Sequence, residues 1–518
     1  MKRVITTAML MSGCFASIFA LILSLASPAW AQSERETKSR LENKLHTVES
    51  NVRLWVAAGN DPRVISEKVK RFENLMQNGQ VAEAEQTLDS VLAMLQDIHL
   101  KSTKTFAASP LPIPFTDDVQ YLIFMLTGSK VYEAADPYSV LDKEVKELVE
   151  KVGTTGTQKR KLGFGIVIPL WIVEKAYPGK IATIVRDAFL VAQTRHAAFE
   201  ISMETHYSWD TRADLWNYFD PHSPGFNPDN KNNVEWSNWQ GTAYRHRYLD
   251  WGAPQEMAPP MCVNAPKIKS EIERLVAHVV GPPIKNGIDS LKKVGEENLF
   301  AGITVTSEPT IENYSIVDKV NPPLGEFMSK KGAPKLRLGY NALTQIGYSE
   351  KRPPRNIEAA LAKVNQDFGA YWAGQFVKAG IPSSRLYTHV AANAGLSGTV
   401  SCSFTNAPIA AAFNSYSRPG WTTYIAGPLQ NDLQPVYREL AQHGNPHWGS
   451  TEASPSALGG PVVPTYEYLR WHYGHGATLM VMNTGATSSQ LTQELKRGVW
   501  GSQSIAAYRR FLTEASLR

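Results

Sequence analysis

The segment Phe300–Ile311, FAGITVTSEPTI, is a run of β-branched residues that stops at Ser307-Glu308-Pro309. It reads as a buried strand delivering a carboxylate to its C-terminal edge, where Pro309 has no backbone N–H to give to a ladder. A second such segment, His447–Ser454 (HWGSTEAS), is short and non-helical and ends on Glu452 ahead of a Pro/Gly-rich loop. Two carboxyl groups on two strand ends, pointing the same way, suit proton donation and nucleophilic attack at a glycosidic bond. The plainer reading of either glutamate alone is a surface residue after a strand.

Other groups fall at strand ends on the same reading. Glu204 and His206 close the strand that starts at Ala197, and His389 closes Arg385–Ala391. Tyr424 lies near the end of Trp421–Ala426, Trp448 shares the segment of Glu452, and Asn483 follows Ala477–Met482. Each is placed to hydrogen-bond or stack on a sugar ring, or else is a packed side chain. Glu204 is the strongest rival carboxylate. Between His206 and Pro260 runs a long loop rich in aromatic residues, amides and carboxylates, including Trp209, Trp236 and Trp239. Sugars offer apolar C–H faces and polar rims, so such a loop suits them; the alternative is a loop packed on its own aromatic core.

Several patterns carry no chemistry. His472 and His475, and His443 and His447, lack the HExxH context of a zinc hydrolase. Gly163-Phe164-Gly165 has no third glycine opening a helix, and Gly449-Ser450 lacks the spacing of a nucleophile elbow. Asp229, Asn230, Asn232 and Asn233 do not have the spacing of a calcium loop. No cofactor and no metal is implied.

The elements that must position these residues begin with a leader. Lys2 and Arg3, the apolar stretch Ala16–Leu25 and Ala29-Trp30-Ala31 read as a signal peptide over residues 1–31, with Gln32 opening the mature chain. An exported protein, periplasmic or extracellular and without a stable membrane span after cleavage, is expected. Losing Lys2 and Arg3 takes the net charge of the 518-residue chain from +5 to +3, and no basic run remains, so nucleic acid is not an expected partner. Cys262 and Cys402 would survive cleavage, either paired or as two buried thiols.

Residues 32–108 have helical spacing, with Leu41, Leu45, Val48 and Val52 on one face and Leu75, Val81, Ala84, Leu88 and Leu92 on another. They predict a helical hairpin. Residues 109–160 read as a Pro-rich and then helical connector. From Lys161 to Arg518 strands alternate with helices, with strands starting at Leu162, Ala197, Tyr248, Ala301, Arg385, Trp421, His447 and Ala477. Eight strands separated by helices predict an α/β fold, a (β/α)8 TIM barrel preceded by an α-helical region, whose chemistry sits at the C-terminal strand ends.

On that count Glu308 follows the fourth strand and Glu452 ends the seventh. Over Lys161–Arg518, and locally at Ser307-Glu308-Pro309 and Gly449-Ser450-Thr451-Glu452, the chain resembles the clan A glycoside hydrolases. The resemblance implies that Glu308 is the general acid/base and Glu452 the nucleophile of a retaining hydrolase acting on a poly- or oligosaccharide, with the carboxyl groups ~5–5.5 Å apart. The clan carries Asn before the first glutamate, where this chain has Ser307, which can donate one hydrogen bond but not the paired contacts of an amide. A barrel that binds carbohydrate or cell-envelope polymer without turnover is the alternative, and a metal-dependent hydrolase built on the histidines a third.

Overall fold

The computed structural model describes residues 62–92 and 119–514 except 127–128, 206, 208, 251–252, 307, 392–406, 425–428, 456–463 and 485–498, together with Leu41, Lys44, Val48 and Met94. The chain divides into two compact units, residues 1–110 with 459–461, and the remainder.

In the first unit a helix at Pro62–Gln77 turns through Gly79 into a second helical run over residues 81–92. Ile65, Val69, Phe72 and Met76 recur at helical spacing and pack with Ala84, Leu88, Val91, Leu41 and Val48. Lys44 bridges Glu85 and Asp89 at 2.8 and 2.6 Å on the rim of this cluster.

The second unit is a closed barrel of eight parallel strands. They are β1 (Gln120–Met125), β2 (Arg160–Pro169), β3 (Ala198–Glu204), β4 (Phe300–Thr304), β5 (Leu386–Ala391), β6 (Arg418–Thr422), β7 (Trp448–Ala453) and β8 (Ala477–Met482). β8 pairs with β1 to close the ring, Tyr121 opposite Leu479. Helices cross between strands, including Pro137–Val152, Lys180–Arg195, Ile357–Lys378 and Thr465–Gly474. The first of these shows how the sequence sets its bounds. Asp136 caps it by accepting from the Ser139 N–H at 3.2 Å, Pro137 occupies its first turn, and Gly153 ends it in the left-handed region at φ 83°. Leu141, Val145, Leu148 and Val152 form its buried stripe.

Side chains alternate in and out along each strand. Tyr121, Ile123, Ala198, Ala301, Tyr387, Leu479 and Val481 cluster as the barrel filling. Phe199 instead meets Phe189 and Phe300, with ring centroids 4.5 and 5.2 Å away, under the crossing helix. The Gly163-Phe164-Gly165 pattern has its explanation here. A Cβ on Gly163 would lie 2.3 Å from the Ala198 carbonyl oxygen, and one on Gly165 3.2 Å from a Glu200 oxygen, so both glycines keep space inside the barrel.

Two sequence expectations are corrected. β1 lies within the segment expected to be a helical connector, so the barrel starts well before Lys161. After Gln120 its sequence, YLIFM, is a continuous apolar run, which periodicity alone does not separate from a buried helix. The expected third strand at Tyr248 is no barrel strand. Arg247–Asp250 pairs antiparallel with Pro254–Met257 as a separate hairpin. One strand missed and one added leave Glu308 after the fourth strand and Glu452 on the seventh.

The hairpin has its own task. Arg247, 3% exposed, donates to Glu312 at 2.5 and 2.8 Å and to Thr310 at 2.5 Å, and its guanidinium lies 4.1 Å over the ring of Tyr207. Tyr314 closes the same corner, its hydroxyl accepting from the Tyr248 N–H and donating to the Tyr248 carbonyl. The residues just beyond Glu308 are thus fixed from outside the barrel. Replacing Arg247 by Met strands the buried Glu312 carboxylate, and the expected loss is ~3–5 kcal/mol, seen as a lowered thermal unfolding midpoint. The double variant Arg247→Met/Glu312→Leu should recover most of it; equal midpoints for wild type and Arg247→Met would show that the pair does not hold this corner.

Candidate active site

β4 ends at Thr304, and the chain leaves the sheet over the next residues. The Val305 N–H still donates to the Tyr387 carbonyl at 2.9 Å, and the Thr306 hydroxyl takes over the ladder, accepting from His389 N–H and donating to His389 C=O, both at 3.0 Å. Glu308 then adopts φ 45°, one of three non-glycine residues with positive φ among the described residues. That conformation costs ~1–3 kcal/mol and marks sites where direction matters more than comfort. Its carbonyl accepts from the Tyr207 hydroxyl at 2.7 Å, tying the bend to the Arg247 corner.

Glu452 reaches the barrel mouth by a different device. Strict alternation from the inward Gly449, whose Cβ would meet the Tyr387 ring, would turn Glu452 outward. The register of β7 slips by one residue against both neighbours. Trp421 and Thr422 pair with Ser450 and Glu452, while Met480 and Met482 pair with Ser450 and Ala453. The extra residue is a bulge, and it re-aims the glutamate inward.

The two side chains meet over His389 of β5. One oxygen of each glutamate and a His389 ring nitrogen all lie within 4.8 Å of one another. His389 Nε2 is 3.7 Å from Glu308 Oε1 and 3.9 Å from Glu452 Oε2. Thr422 of β6 donates to Glu308 Oε1 and stands 2.8 Å from His389 Nε2. On the other side Tyr424 and Asn483 both donate to Glu452 Oε1, the amide at 2.6 Å, and the Asn483 amide also donates to the Tyr424 hydroxyl at 2.5 Å.

Burial and environment separate the two acids. Burial and then the Glu452 charge push the Glu308 carboxyl up to about 7, against the Thr422 hydrogen bond that favours its anion. Burial also raises Glu452, opposed by the Tyr424 and Asn483 donors and helped by the charge of Glu204. His389 is held down to about 3 by burial, so its ring is neutral. The trio is also the one group among the described residues near enough to be weighed as a cation cage. Atoms bound to a zinc at ~2.0–2.2 Å would sit ~3.3–3.6 Å apart, closer than these, and the Oε1 atoms already accept from Thr422, Tyr424 and Asn483. The arrangement is two carboxyl groups in unequal surroundings above a neutral imidazole.

Of the residues expected at the site, Glu308, Glu452, His389, Tyr424 and Asn483 are brought together, and Glu204, at the end of β3, acts on Glu452 through its charge. Ser307 and His206 lie outside the described residues. Trp448 and Trp209 are corrected. Both are buried, their indole N–H groups donating to the carbonyls of His475 and Pro259, so neither ring offers a face to a sugar. Trp236 donates to the Lys231 carbonyl and Trp239 meets Tyr340 edge-on at 5.0 Å, contacts internal to the outer loops. His472 and His475 are buried against the Tyr468 and Trp471 carbonyls, and His443 stacks on Phe413 at 3.8 Å. Cys262 is buried and Cys402 lies outside the described residues.

Two site residues were not anticipated. Thr422 shares the inward face with Tyr424, a period-2 signal present in WTTYIA. Glu200, fully buried below the site, accepts from Ser202 and from the Thr304 N–H at 3.1 Å, and burial pushes it up to about 7. Its signal was AFEISME, which alternates Glu200, Ser202 and Glu204 on one face.

No family model and no curated protein matches the chain. Among solved structures it is similar to a chitobiase from Flavobacterium johnsoniae, at 11% identity and TM-score 0.35 over 77% of this chain and 48% of that one. It is also similar to a β-glucosidase, at 11% identity and TM-score 0.37 over 73% of this chain and 88% of that one. The chain spans about half the length of the chitobiase. The likeness is remote, and the barrel assignment rests on the closed ring of eight parallel strands itself.

Proposed function

We propose that this protein is an exported retaining glycoside hydrolase acting on a poly- or oligosaccharide. The observation that carries the reading is the pair itself: two carboxyl groups with oxygens within 4.8 Å at the C-terminal mouth of a (β/α)8 barrel, in unequal hydrogen-bond environments. Oxygens this close favour a double displacement through a covalent glycosyl-enzyme. An inverting pair stands ~6.5–9.5 Å apart to leave room for a water.

Each group has a role that its surroundings favour. Glu308 is half-buried, has one side-chain donor among the described residues and keeps its proton, so it protonates the leaving oxygen. Glu452 receives two donors, Tyr424 and Asn483, which stabilise its anion, and attacks the anomeric carbon. The C–O bond to the leaving group breaks as the Glu452–carbon bond forms. Glu308, now ionised, then takes a proton from the water that releases the sugar. His389 sits beneath both acids as a neutral donor.

The first test is reducing-sugar release from a panel of plant, microbial and host glycans. Glu308→Gln and Glu452→Gln, each checked for folding, should lose at least ~10³-fold in kcat/KM, and NMR of the first-formed product should show retained anomeric configuration. Inversion, or activity surviving both substitutions, removes the assignment. A wild type that binds a glycan and hydrolyses none supports a binding barrel instead.

The pH dependence has a definite sign. Glu308 must carry its proton and Glu452 must have lost its own, so kcat/KM should fall as pH rises through about 7. A profile flat from pH 6 to 9 would show that Glu308 is not the acid.

Export rests on the signal-like residues 1–31, which lie outside the described residues. N-terminal sequencing of protein recovered outside the cytoplasm should begin at Gln32; a start at Met1 in a cytoplasmic fraction would overturn it.

A further inference from the structure

The Thr422 hydroxyl is the bridge between His389 and Glu308, and it has one proton to give. With Glu308 ionised, its carboxylate is an acceptor only, so that proton goes to Oε1. The hydroxyl oxygen must then accept from His389, which requires the tautomer with hydrogen on Nε2. Geometry independently favours the same tautomer, because Nε2 faces carboxylate oxygens at 3.7 and 3.9 Å, where an N–H is attracted and a lone pair is repelled. The backbone holds the chain in place. Thr306 locks the main chain of His389 through two hydrogen bonds, and Thr422 is paired to Glu452 in the sheet.

We propose that Thr422 is a positioning residue, oriented by a His389 Nε2–H donor, that keeps Glu308 Oε1 as a permanent acceptor and so leaves Oε2 to carry the proton delivered to substrate. The inference rests on the glycosidase reading for its last step alone; the hydrogen-bond chain is a property of the folded protein. It assigns Oε1 and Oε2 different duties. The proton for the leaving oxygen sits on the atom with no donor among the described residues, and the ionised acid is restrained by Thr422 from rotating toward Glu452. No atom is transferred along the chain itself. The groups that face Glu308 are Glu452 from β7, His389 from β5, Thr422 from β6 and Tyr424 just after it; Tyr207 meets its carbonyl, and the Glu204 charge at the end of β3 acts on Glu452. Removing the Thr422 donor therefore acts on a pocket whose other charges are unchanged.

The test reads Glu308 directly and needs no substrate. In protein labelled with ¹³C at the glutamate carboxyl, the Glu308 signal, identified by its loss in Glu308→Gln, is titrated in wild type, Thr422→Val and Thr422→Ser. Valine keeps the shape and removes the donor, so the midpoint should rise by half a pH unit or more; serine should return it to the wild-type value. A packing role would leave the valine variant unshifted, and that result overturns the proposal. ¹⁵N spectra of histidine in the wild type give a second reading that requires no variant to fold. The His389 signals, identified with His389→Gln, should show hydrogen on Nε2 at pH 8, and a proton on Nδ1 instead would overturn the chain. Activity on a panel of 4-nitrophenyl glycosides separates the two levels. If wild type cleaves none of them while both NMR results hold, the glycosidase reading fails and the hydrogen-bond chain stands; cleavage with an unshifted Thr422→Val titration means the reverse.

Discussion

Two like charges held close together in a buried pocket are the constraint around which this barrel is arranged. At 4.8 Å and an effective dielectric near 20, two carboxylates repel by ~3.5 kcal/mol, several times thermal energy. Near neutral pH the pair therefore shares a proton, and it titrates as a unit rather than as two independent acids. What decides where the proton resides is the count of donors on each side. Among the described residues Glu452 accepts from a phenol and an amide just beyond the ends of β6 and β8, while Glu308 accepts from one hydroxyl. Donors favour the anion, so the asymmetry places the charge on Glu452 and the proton on Glu308. The neutral imidazole below adds a dipole without adding a third charge to a pocket that already has one too many.

Neither glutamate reaches this meeting point by regular geometry. Glu452 would face outward on an unbroken strand and comes inward because β7 carries an extra residue just after Ser450 relative to both neighbours. Glu308 turns on a positive-φ backbone that a non-glycine residue resists. Both departures cost stability and need support from elsewhere. For Glu308 that support is the Arg247 corner. The Tyr207 hydroxyl holds the strained carbonyl, Arg247 stacks on the Tyr207 ring, and Glu312 and Thr310 fix Arg247. A hairpin outside the barrel thus sets the direction of an acid inside it.

These departures also mark how far the sequence could be read. Glu308 was legible because a β-branched run ending at a carboxylate is a one-dimensional signal, Glu452 because it ends a short non-helical segment ahead of a Pro/Gly-rich loop, and Tyr424, His389 and Asn483 followed from counting to strand ends. The bulge was not legible, since the slip in β7 exists relative to β6 and β8. Had alternation been applied strictly, it would have pointed Glu452 the wrong way. β1 was hidden because an unbroken apolar run of five residues fits a strand buried on both faces as well as a helix. The Tyr248 segment misled for the opposite reason, having strand propensity without a barrel partner. Glu200 was passed over although its alternation with Ser202 and Glu204 was in plain view; a buried acid is uncommon, and composition gives no warning of one.

The aromatic loop is where chemical plausibility and structure part. Trp209, Trp216, Trp236, Tyr218 and Tyr244 donate their polar hydrogens to backbone carbonyls at Pro259, Trp209, Lys231, Ala243 and Pro334. A connection of this length has few sheet or helix partners for its carbonyls, and leaving them unpaired in a packed layer would cost ~1–3 kcal/mol each. Large rings with one donor at the tip satisfy those carbonyls and fill the volume between them at once. Amides perform the same service, Asn233 donating to the Leu215 carbonyl and Asn230 to those of Asn217 and Gly225. For Trp209 and Tyr244, which are buried, a composition that looks like a sugar platform is that of a long loop supplying its own core. The polar groups gathered at the strand ends are of another kind, Tyr424 and Asn483 donating to Glu452 and the Glu204 charge acting on it.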